Sequence, residues 1–69
     1  MGDPRLGVRL KEARTAAALT QAGLAERAGV SRKTINTVEN GVFIPSTLLA
    51  LDLARALETT VEALFFLKD

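Results

Sequence analysis

The chain has 69 residues, 9 Lys and Arg against 8 Asp and Glu, no His, no Cys, and three Phe as its only aromatics. One small domain fits that length, and its core is small enough to leave stability marginal. The absences exclude disulfides, zinc–thiolate sites, thiol nucleophiles and histidine bases, and no apolar run approaches the ~18 residues of a membrane span.

Ala and Leu each occur eleven times, which favours helices. Asp3-Pro4 predicts an N-cap followed by Pro at the first helical position. Leu6, Leu10, Ala13 and Ala17 then fall on one face of a first helix ending near Ala18. Thr20 caps a short second helix over 21–28, with Leu24, Ala25 and Ala28 on one face, and Gly29 ends it. Ser31 caps a third helix over 32–39 with Ile35 and Val38 inward, and Asn40-Gly41 stops it. Val42, Phe43, Ile44 and Pro45 form an extended apolar loop, with Phe43 expected at the rim of the core and Ile44 inside it; Pro45 biases Ile44 away from helix. Ser46 caps a fourth helix ending at Leu57, whose inward stripe is Ala50, Leu53, Ala54 and Leu57, while Leu48, Leu49 and Leu51 point elsewhere. Thr59 or Thr60 caps a fifth helix from Val61 to about Leu67.

The net charge of +1 conceals an asymmetry. Residues 1–37 carry seven Lys and Arg against three acids, or +4, and residues 38–69 carry two against five, or −3. A basic half suits a polyanion, although so few charges also become uneven by chance.

The stretch 21–40 is two short helices joined by the turn Ala28-Gly29-Val30-Ser31. Ala25 is small where the helices approach. Leu24, Ala28, Val30, Ile35 and Val38 make an uninterrupted apolar seam. This is the pattern of a DNA-binding helix-turn-helix. The words around it are more specific: Leu19-Thr20-Gln21, Leu24-Ala25-Glu26-Arg27-Ala28-Gly29-Val30-Ser31, Thr34-Ile35-Asn36, Val38-Glu39-Asn40-Gly41, Pro45-Ser46 and Leu64-Phe65. At this spacing they resemble the phage-repressor-like (XRE/Cro) helix-turn-helix family, from about Leu6 to Phe66.

The resemblance implies an all-α, five-helix, lambda-repressor-like fold over residues 1–69 as a single domain. It implies sequence-specific binding of double-stranded DNA by a transcriptional regulator, typically a repressor, with the third helix in the major groove. Carried over by position, Gln21 and Ser31 lie near phosphates, and Arg32, Lys33, Asn36 and Thr37 face base edges. Arg suits G O6/N7, Asn suits A N6/N7, and Thr37 suits a thymine methyl; Lys33 reaches a base or a phosphate. Asn40 matches a phosphate contact, and Asn-Gly also suits a helix stop. The family pairs the acid at the position of Glu39 with an arginine of the first helix, which implies a structural Arg14–Glu39 bridge. Arg5, Arg9 and Lys11 are secondary phosphate candidates, explained equally well as a solvated face.

Three positions depart from the family. Gly23 replaces a common Glu and weakens the second helix. Ala18 and Glu58 replace glycines that often end helices. Surplus apolar residues (Leu48, Leu51, Phe65, Phe66 and Leu67) mark either a wide inward stripe of a small core or an exposed patch that docks a second domain or forms a candidate dimer face. The dimer is the favoured reading, and a homodimer would read a near-palindromic operator. The alternatives are the DNA-reading domain of a longer ligand-sensing regulator and an antitoxin-like protein-interaction module. No enzyme activity, cofactor, metal site or membrane association is expected, and the expected location is the cytoplasm.

Overall fold

In the computed structural model, which describes residues 2–68, the chain order is β1 (Leu6–Val8), α1 (Leu10–Ala16), α2 (Gln21–Ala28), α3 (Arg32–Glu39), α4 (Thr47–Ala56), α5 (Val61–Leu64) and β2 (Phe65–Leu67). Four helices begin on a hydroxyl. Thr20 Oγ1 accepts from the Gly23 amide at 2.9 Å, Ser31 Oγ from Thr34 at 3.1 Å, Ser46 Oγ from Leu49 at 3.1 Å and Thr60 Oγ1 from Ala63 at 3.2 Å. Each satisfies an amide with no partner inside the helix, a contribution of ~1 kcal/mol. Of the two threonines before α5, Thr60 is therefore the cap.

Four helices also end alike, on an amide that reaches back five residues. Leu19 bonds Arg14 O at 3.1 Å, Val30 bonds Ala25 O at 3.0 Å, Val42 bonds Thr37 O at 3.0 Å and Thr59 bonds Ala54 O at 2.9 Å. This Schellman-type closure needs a left-handed residue just before the donor. Gly29 (φ 73°) and Gly41 (φ 72°) supply it freely, having no Cβ to clash. Ala18 (φ 58°) and Glu58 (φ 54°) supply it under strain.

The core draws on every helix. Leu10, Leu24, Ile35, Val38, Leu53 and Leu64 are fully buried, joined by Ala25 and Ala54. Ala28, Val30, Leu57 and Val61 are partly buried against them. Leu49, expected to point away, packs here too.

Five helices carry the fold; the differences from expectation in secondary structure lie at the two ends. Asp3 and Pro4 do not start a helix. The Asp3 carboxylate accepts from the Arg5 amide at 2.8 Å and from the Arg5 guanidinium, and Leu6 N donates to Asp3 O at 3.0 Å, closing a turn. Residues Leu6–Val8 then run extended and pair antiparallel with Phe65–Leu67, in the register Leu6↔Leu67, Gly7↔Phe66, Val8↔Phe65. α1 spans only Leu10–Ala16, and Ala17, its C-cap, is exposed rather than on an inward face. α5 stops at Leu64 because Phe65, Phe66 and Leu67 form the other strand. Gly7 permits the ribbon: a Cβ there would fall 2.1 Å from Phe66 Cζ, so the phenyl ring occupies that space. The Arg9 guanidinium lies 4.1 Å from the ring centroid of Phe66.

The loop before α4 also departs from expectation. Phe43 and Ile44 are both roughly half exposed, neither at the rim nor inside the core. The turn after α3 fixes their backbone outward, with the Phe43 amide donating to Thr37 O at 3.2 Å.

Candidate nucleic-acid interface

α2 and α3 pack directly on each other, with Ala25 buried between them and the Gly29 turn setting their angle. Ile35 and Val38 hold α3 by its inner face. The opposite face presents Arg32, Lys33, Asn36 and Asn40, all exposed. Arg32, Lys33 and Asn36 border a depression of about 420 Å³ together with Gln21 at the start of α2. One side of this surface is thus the N-terminal turn of two helices, where free amides and the macrodipole favour anions.

Charge placement on α3 runs against helix stability. Arg32 and Lys33 occupy its first turn, which contains no acid. Cations at this end oppose the dipole at a cost of ~0.3–1 kcal/mol each at low salt. A sequence selected for the fold alone would place Asp or Glu there.

Beneath this face lies an ion-pair network. Arg14 Nε donates to Glu39 Oε2 at 2.6 Å and Arg14 NH2 donates to Glu39 Oε1 at 3.3 Å. Arg14 NH1 donates to Leu19 O at 2.9 Å, and Gln21 Nε2 donates to Glu39 Oε1 at 3.0 Å. The Glu39 side chain is 3% exposed and that of Arg14 13%. The network therefore withdraws the α3 carboxylate from the surface and ties the starts of α2 and the ends of α1 and α3 together. The Gln21 and Leu19 bonds have no signature in the sequence, because their spacing follows only from the docked helices.

The remaining site residues divide between surface and structure. The Ser31 hydroxyl is the cap of α3, while its side chain stays exposed. Thr37 is half-buried, and its hydroxyl donates to Thr34 O at 3.0 Å. Asn40 Nδ2 donates to Asn36 Oδ1 at 3.2 Å. Arg5 is committed to Asp3 and Arg9 to the Phe66 ring, which leaves Lys11 as the exposed cation of α1. No group of three or more potential metal ligands occurs among the described residues.

A two-helix unit with a left-handed glycine turn, a buried seam and a basic outer face on its second helix defines a helix-turn-helix domain of the DNA-binding type. Comparison with known proteins agrees. The structure matches the restriction-modification controller protein C.AhdI from Aeromonas hydrophila with a TM-score of 0.76 and 39% identity, over 78% of this chain and 82% of that one. It matches the P22 c2 repressor, solved in complex with a synthetic operator, with a TM-score of 0.75 and 28% identity over 78% and 82% of the two chains. Similar sequences include the uncharacterized HTH-type transcriptional regulator YgzD of Bacillus subtilis (strain 168), 36% identical over 61 residues, or 88% of this chain and 92% of the relative. An uncharacterized HTH-type transcriptional regulator of Methanothermobacter thermautotrophicus is 44% identical over 61 residues, 87% of this chain and 88% of its own. Residues 10–64 match the HTH_3 helix-turn-helix family, and the chain belongs to it.

Proposed function

We propose that this chain is a transcriptional regulator of the repressor type that binds double-stranded DNA sequence-specifically, with α3 in the major groove. The observation that carries this is the outer face of α3. It holds two cations where helix stability disfavours them, and its acid, Glu39, is neutralised underneath by Arg14. Arg32 and Asn36 lie one helical turn apart on this face and offer bidentate donors to guanine and adenine edges. Lys33 and Thr37 flank them. Gln21, Ser31 and Asn40 line the margins, where phosphates fix register. The protein acts by binding and not by catalysis, in the cytoplasm. No helix among the described residues is long and apolar enough to cross a membrane.

The reading includes a homodimer on a near-palindromic operator. Leu48 and Leu51 on α4 are 69% and 53% exposed, Leu67 on β2 is 74% exposed, and Leu6, Ile44, Leu51, Val61 and Phe65 line an apolar depression of about 240 Å³. This exposed apolar surface, with the groove beside Leu51, supports a self-complementary contact. Phe66 contributes less to it, because its ring is engaged by Gly7 and Arg9. Two recognition helices ~34 Å apart would enter successive major grooves.

Selection of random oligonucleotides on the purified protein tests the reading. Recovery of a two-fold symmetric consensus is expected; recovery of unrelated sequences would overturn it. With the selected site in hand, Arg32→Ala should weaken specific more than random binding, and Gln21→Ala should weaken both alike. Sedimentation of Leu51→Glu should show a shift toward monomer if α4 forms the dimer contact.

A further inference from the structure

The exposed row of α3 does not stop at the helix end. Arg32, Asn36 and Asn40 follow one another at i, i+4 spacing, and Asn36 and Asn40 are linked by a hydrogen bond of 3.2 Å. Asn40, with Gly41 and Val42, also lines another depression, of about 460 Å³. The same depression is lined by both ends of the described chain, by Asp3 and Pro4 and by Lys68. The β ribbon brings them there. Lys68 N donates to Arg5 O at 2.7 Å, one step beyond the Leu6↔Leu67 pair. The segment before β1 lies against the loop after α3, so closely that a Cβ on Gly2 would fall 1.7 Å from Gly41 O.

The charges in this depression are not equivalent. The Asp3 carboxylate is occupied by the Arg5 guanidinium at 2.9 Å. Lys68 is exposed, and among the described residues it has no carboxylate within ion-pair distance. A cation on a flexible stem, beside an asparagine at the end of the recognition row, matches the chemistry that holds a backbone phosphate. We propose that Lys68 is a DNA phosphate contact that acts beside Asn40 and extends the footprint from α3 onto the end of β2. This rests on α3 being the recognition helix.

Fluorescence anisotropy tests it, with a random-sequence duplex and the selected operator, each over a range of salt concentrations. Lys68→Ala is expected to weaken binding to both duplexes about equally, by ~3–10-fold, and to reduce the slope of log affinity against log salt by ~0.9, the loss of one phosphate contact. Lys68→Arg should restore the slope, and neither variant should change the melting temperature, because the backbone pairing remains. An unchanged slope and affinity in Lys68→Ala, with Arg32→Ala still losing operator binding, would overturn the Lys68 contact alone. A lowered melting temperature with no recovery of the slope in Lys68→Arg would overturn it in favour of a structural role. Failure of the unmodified protein to bind either duplex would overturn the recognition-helix reading and this contact with it.

Discussion

Replacement of Arg14 by alanine gives the most demanding test of the structure. It deletes the 2.6 Å and 3.3 Å bonds to Glu39 and the 2.9 Å bond to Leu19 O. Glu39, 3% exposed, is left with the Gln21 amide as its partner among the described side chains. Breaking a buried pair from one side costs ~3–5 kcal/mol, because the surviving charge stays desolvated. Arg14 is 13% exposed, so water can replace part of what is lost, which brings the expected cost to ~2–4 kcal/mol. A domain of this size loses ~4–8 °C per kcal/mol, so the melting temperature should fall by ~8–32 °C. Urea titration followed by circular dichroism measures the change. Replacing both partners by methionine removes the stranded charge, and the double variant should recover to within ~1.5 kcal/mol of the parent. A loss below ~1 kcal/mol for Arg14→Ala, or single effects that simply add in the double variant, would refute the buried-pair argument.

Three further outcomes follow from local geometry. Ala18→Gly and Glu58→Gly, at φ 58° and 54°, should each stabilise the fold by ~0.5–1 kcal/mol in the same urea titration, because relief of left-handed strain outweighs the added chain entropy. Lys33→Glu should raise stability by ~0.3–1 kcal/mol through the helix dipole while DNA binding falls, a separation of fold from function that parallel melting and anisotropy would reveal. The Asp3 carboxyl, lowered from 3.8 to about 2 chiefly by its hydrogen bond to the Arg5 side chain, should titrate near pH 2 by NMR, and Arg5→Ala should return it toward 3.8. Since the folded value is the lower one, this turn favours the folded state above pH 3.8 and loses that contribution as the pH falls through about 2.

What was legible in the sequence was the chemistry that is local. A hydroxyl just before an apolar helical period identifies Thr20, Ser31 and Ser46 as caps, and glycine after such a run identifies the Gly29 turn. The seam of Leu24, Ile35 and Val38 is likewise a matter of spacing, and all three are fully buried. The ends were not legible. Leu6 and Leu10 have the spacing of a helix face, and nothing near Leu6 announces a strand partner at Leu67. Phe43 and Ile44 are apolar by composition, yet the turn after α3 directs them outward, and that turn depends on contacts with Thr37. At the interface the inward positions Ile35 and Val38 followed from helical period and the outward row of α3 from the family resemblance, whereas the bond from Gln21 to Glu39 requires two helices to be docked first.

The β ribbon has a consequence for the order of folding. Pairing residue 6 with residue 67 in an open chain closes a loop of ~60 residues, an entropic cost of ~4 kcal/mol beyond the constant term. A two-stranded ribbon alone is too weak to offset that. Once Leu10 and Leu64 are buried and Arg9 N bonds Leu64 O at 2.8 Å, only a few residues on each side remain to be zipped. The ribbon is thus a late clasp on an assembled helical body, and the first element to release. Amides of β1 and β2 should then exchange with solvent through a local opening well below the global unfolding free energy, while the helix-turn-helix stays protected.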